Sequence, residues 1–246
     1  MSVSTSQFRI SEFCRSKSAV ASQSDSTLFP VHYHNVLVDL MCEVQPSTVY
    51  DHLRSNDMYD VDQALNACRT FGIVRGAAYL LEKKGSVDEA FEVLLNELRR
   101  VMDAYLVSQQ YEVSQEVYGK TYQRLKDTLE IVVDFCQRSS ARTDQAVKEN
   151  MYHQVLKFML DAINTSADVM HDNRRSDLRR LSADLLKSMT GHVDVLVFLK
   201  RVLDDSAYIH GKFGEQRELL LGILDTYLYE QVTILLYFIY FHHYND

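Results

Sequence analysis

Glycine and proline are scarce, at eight and two in 246 residues, where an average chain would draw roughly 12% of its residues from the pair. Sheet-rich folds turn often, and their turns rely on both residue types. The shortage therefore predicts an all-α chain. Tryptophan is absent, so bulk must come from Tyr and Phe, which suit packed helix faces but mark no site. No C-x-x-C pair occurs among Cys14, Cys42, Cys68 and Cys136, and neither a zinc site nor a disulfide framework is expected. Cys68 and Cys136 fall on apolar helical stripes, where buried, reduced thiols are expected, in keeping with a reducing compartment. Positive charge is also short: 26 Lys and Arg face 34 Asp and Glu, a net charge of -8. A phosphate backbone calls for a basic surface, so no nucleic-acid partner is expected. The first 28 residues lack the sustained apolar core of a signal peptide and, being Ser-rich, read as a flexible leader.

What is present is helical punctuation. Residues 77–95 read "AAYLLEKKGSVDEAFEVLL". Val74, Ala77, Ala78 and Leu81 form one apolar stripe at i, i+3, i+4, i+7 spacing. Lys83 and Lys84 suit the negative end of a helix dipole, and Gly85 supplies the left-handed residue that ends the helix. Ser86 and Glu89 then have the spacing of a capping box that starts the next helix. Along it Val87, Ala90, Phe91, Leu94, Leu95, Leu98, Val101, Met102 and Tyr105 continue the stripe.

The same reading extends in both directions. A first helix is predicted over Tyr33 to Glu43. Pro46 opens a second reaching Arg54, and Asp60 with Gln63 caps a third that runs to Phe71 and ends at Gly72. Helix starts near 48, 61, 74 and 87 give a step of about 13 residues, or a hairpin every 26, shorter than the tetratricopeptide period. One short hairpin cannot bury its apolar face alone, so repeated hairpins imply stacking. The predicted fold is an α-solenoid of stacked antiparallel helical hairpins. Longer helices follow, from Tyr118 to Arg138, then one carrying Val147, Met151, Val155, Phe158, Met159 and Ala162. A polar connection over Asn164 to Arg175 leads to a helix with Leu178, Leu181, Leu185 and Met189, broken at Gly191. A final helix is predicted near Phe213. The organisation expected is a leader over 1–28, one array over 29–241 and a tail over 242–246.

Several residue groups invite a chemical reading, and each has a plainer one. Glu130 and Asp134 share a helix face at i, i+4, as metal-binding or acid–base carboxylates can, but no His completes a di-metal motif. A solvated face opposite Leu125, Leu129 and Val133 is expected. His32 and His34, two apart on a helix, point in different directions, and His242 and His243 stand beside no other ligand. "GKFGE" at 211–215 lacks the P-loop order, since its lysine precedes the second glycine. Arg174, Arg175, Arg179 and Arg180 lie among Asp172, Asp177 and Asp184, the pattern of a salt-bridged helix start rather than an anion site. Val232 to Phe241 is apolar almost all round, but at 1.5 Å per residue it reaches about half a bilayer core. No residue is nominated as catalytic, cofactor-binding or metal-ligating, and no cofactor is expected.

"LVDLMCEVQPSTVYDHLRSNDMYDVDQALNACRTFGIVRGAAYLLEKKGSVDEAF" resembles the solenoid segment of the vacuolar protein sorting-associated protein 8 family. "CQRSS" at 136–140 and "GKFGEQRELLLGILDTYLYEQ" at 211–231 resemble it too, in the same order. The resemblance implies a clathrin-heavy-chain-like helical repeat in a subunit of CORVET, an endosomal tethering complex. It implies a class C core as partner, an early-endosomal Rab GTPase acting with it, and a cytoplasmic protein held peripherally on early endosomes through the complex. Family members are much longer, with a β-propeller before this segment and a zinc-binding RING domain after it. Neither pattern occurs before Val31 or after Gln231, and an apolar tail follows "YEQ". A fragment, a splice form or an imperfect gene model is therefore expected, without the propeller that meets the Rab protein or the RING that ligase chemistry needs. Two alternatives from other classes are a helical-repeat adaptor for short peptides and a metal-dependent hydrolase built on Glu130 and Asp134.

Overall fold

The computed structural model describes residues 31–110, 115–139, 144–165, 172–189, 191–194 and 228. The Ser-rich leader, Cys14, the Gly211–Glu215 loop, the helix near Phe213, the Val232–Phe241 stretch and His242 and His243 lie outside them. Among the described residues every regular element is helical. The helices are α1 (Val31–Val44), α2 (Val49–Ser55), α3 (Val61–Thr70), α4 (Val74–Lys83), α5 (Val87–Gln110), α6 (Gln115–Ser139), α7 (Gln145–Thr165) and α8 (Asp172–Ser188), with a 3-10 turn at Pro46–Thr48. The chain packs as two compact units, Met1–Leu94 and Leu95–Asp246, and the division falls within α5.

In the first unit α1 packs against α2 and α3, α2 against α4, and α3 against α4. That is the signature of stacked antiparallel hairpins. The starts at Val49, Val61, Val74 and Val87 lie 12, 13 and 13 residues apart, close to the predicted step. Its cause is a repeated stop. Gly72 and Gly85 sit at φ 68° and 84°, where a Cβ would be strained. Ile73 N donates to Cys68 O at 2.7 Å and Gly72 N to Arg69 O; Ser86 N donates to Leu81 O at 2.9 Å and Gly85 N to Glu82 O. These are two Schellman closures, one per helix, that satisfy the last carbonyls and reverse the chain within three residues.

The buried faces follow the stripes. Ala77, Ala78 and Leu81 are buried, as is Leu80, while Val74 stays half-buried. On α5, Ala90, Phe91 and Leu94 belong to the first unit's core. Fully burying a leucine or phenylalanine is worth about 1.5–3 kcal/mol, enough to hold helices too short to be stable alone.

In the second unit α6 packs on α7 and α8, and α7 on α8. Leu125, Leu129, Val132, Phe135 and Cys136 from α6 are buried, as are Met151, Tyr152, Val155, Leu156 and Met159 from α7 and Leu178, Leu181 and Leu185 from α8. Leu95, Leu98, Val101, Met102 and Tyr105 of α5 are buried as well. Helix α8 starts at Asp172, several residues before the predicted end of the polar connection. The polar run there forms its first turns. Gly191, at φ 76°, stands after α8 as expected.

Candidate interaction surface

The cap residues of the first unit do more than cap. Asp60 accepts from Gln63 N at 2.8 Å, the predicted start of α3. The reciprocal arm is rerouted: Asp60 N donates to Asn35 Oδ1 at 2.7 Å, and Asn35 Nδ2 donates to Gln63 Oε1 at 2.6 Å. Asn35 of α1 thus completes the cap and ties α1 to α3. At α5 the predicted Ser86–Glu89 box does not close. Glu89 pairs with the Arg69 guanidinium on α3 instead, because a cation across the hairpin offers it a stronger bond than the Ser86 N–H.

The lysines that were expected to face the helix dipole also turn sideways. Lys83 Nζ reaches Asp57 Oδ1 at 2.6 Å and Tyr59 Oη at 3.3 Å, and Lys84 Nζ reaches Asp62 Oδ1 at 2.5 Å. Tyr59 Oη donates to Leu53 O at 2.9 Å. Between α2 and α4 lies an aromatic and cationic group. Arg75 stacks over Tyr50 at 3.8 Å, Arg54 lies 5.6 Å from the same ring, and Tyr79 meets it edge-on at 5.8 Å.

The residues weighed for chemistry are not brought together. Glu130 and Asp134 are both exposed on α6, with Glu130 3.9 Å from Lys126, which fits the solvated face expected. Among the described residues no group of three or more His, Cys, Asp or Glu could hold a metal ion. His32 is exposed on α1, while His34 Nδ1 lies 3.1 Å from Asn56 Nδ2. Asp177 accepts from Tyr118 Oη of α6. Asp184 lies 4.0 Å from Lys187. Cys68 and Cys136 are buried and unbridged, as expected. Burial pushes the Cys136 thiol up to about 12, far from a reactive thiolate. Nothing in the sequence pairs Cys42 with Cys68, yet the neighbouring Cys42 thiol, and after it burial, raises the Cys68 thiol. No described helix is long and apolar enough to cross a membrane.

Comparison with known proteins gives these surfaces a context. The family model of the Vps41 TPR-like region matches residues 26–116, which take in all of α1 to α5. The chain is 28% identical over 207 residues to the mouse vacuolar protein sorting-associated protein 8 homolog, covering 83% of this chain and 14% of that protein. The human homolog is likewise 28% identical, over 197 residues, again covering 14% of its length. This chain therefore spans about a seventh of the vacuolar protein sorting-associated protein 8 homologues it matches. No solved structure matches. Helices of seven to ten residues at α2 to α4 cannot fill the tetratricopeptide period of about 34 residues.

Proposed function

We propose that the chain is a non-enzymatic scaffold segment of a vacuolar protein sorting complex subunit, acting in endosomal membrane tethering within a CORVET-type assembly. The observation that carries this reading is the similarity to the two homologues over some four-fifths of the chain, together with the TPR-like match across the first stacked hairpins. Stacked hairpins expose broad, ridged surfaces whose backbone groups are already satisfied. Such surfaces suit protein partners better than small substrates. The partners in this reading are class C core subunits. Contact with an early-endosomal Rab GTPase runs through other regions of the relatives, and membrane association is peripheral, through the complex, on the cytoplasmic side of early endosomes.

The test is a pull-down of the tagged, full chain from cell extract, probed for class C core subunits. Their retention, lost when the chain is heat-denatured before mixing, is the expected result. A well-folded chain that retains none of them contradicts the reading. A metal-dependent hydrolase would instead show stoichiometric metal in the purified protein. The exposed setting of Glu130 and Asp134 gives that alternative no enclosed site.

A further inference from the structure

We draw no further inference here: the strongest candidate, the exposed apolar patch of Val31, Tyr33 and Met58 where the start of α1 meets the α2–α3 loop, carries none because nothing in the structure shows what covers it.

Discussion

Asn35 donates to Gln63 Oε1 at 2.6 Å across 28 residues of chain, and with its Oδ1 it accepts from Asp60 N. One buried amide thus does the work that a glutamine does for itself in an ordinary capping box. Asn35→Ala removes both bonds. At about 1 kcal/mol for each net hydrogen bond, the first unit should lose about 2 kcal/mol. Urea unfolding should show a lower midpoint with an unchanged slope. A loss under about 0.5 kcal/mol would mean that the bridge is not formed in solution.

Gly76 is buried within α4, and a Cβ there would stand 2.9 Å from Cys68 Sγ, against 3.3 Å from Ile73 Cγ2 and 3.4 Å from Leu53 Cδ1. Alanine would gain about 1 kcal/mol of helix propensity but overpack the site at a cost of about 1–3 kcal/mol. Gly76→Ala should therefore lower the melting temperature. In a Cys68→Ala background the obstructing sulfur is gone, and the same substitution should become neutral or stabilising. The two changes share one site, so additivity should fail. Additive melting shifts would show that the sulfur does not set the constraint.

Burial, and after it the charge of His34, lowers the pKa of His52 below 6.5, and its Nε2 is buried without a partner. His192 is lowered too, by burial and then by Lys148. A histidine whose folded pKa is depressed binds fewer protons folded than unfolded, so stability rises with pH across its titration. Stability should be fully present above the unfolded value near 6.5 and fall as pH drops below it, levelling off beneath the folded pKa. Urea midpoints between pH 7.5 and 5 check this. His52→Gln should flatten the part of the slope that belongs to the first unit, and an unchanged slope would contradict the assignment.

Tyr59 and Asp57 both meet Lys83, but on opposite sides of the solvent boundary. The Asp57 side chain is 81% exposed, so Asp57→Asn should cost less than about 1 kcal/mol and lose even that in high salt. Tyr59 is buried and donates to Leu53 O. Tyr59→Phe leaves that carbonyl short of a donor and should cost about 1–2 kcal/mol. Chemical denaturation of the two variants at low and high salt checks the order. The reverse order would mean that the ion pair, not the buried hydroxyl, fastens the α2–α3 loop.

The helix order of the first unit was legible because local signals set it. Gly72, Gly85, Asp60 and Pro46 act within a few residues of themselves, and the 13-residue step follows from them. The side-chain bonds of Asn35, Glu89 and Lys83 were not legible in the same way. Each takes a partner from another element, which only packing brings near. The Cys42–Cys68 contact and the shared Tyr50 ring are illegible for the same reason. For Glu130 and Asp134 the sequence sufficed, since a face opposite an apolar stripe must meet water.

In the proposed role these stacked hairpins act as a protein-binding scaffold. The most direct measurement of that role is gel filtration of the purified full chain with a reconstituted class C core, at micromolar concentrations of each. Co-elution in a fixed stoichiometric ratio is the predicted result. A chain with a helical spectrum and a cooperative melt that elutes apart from the core at every concentration would contradict it.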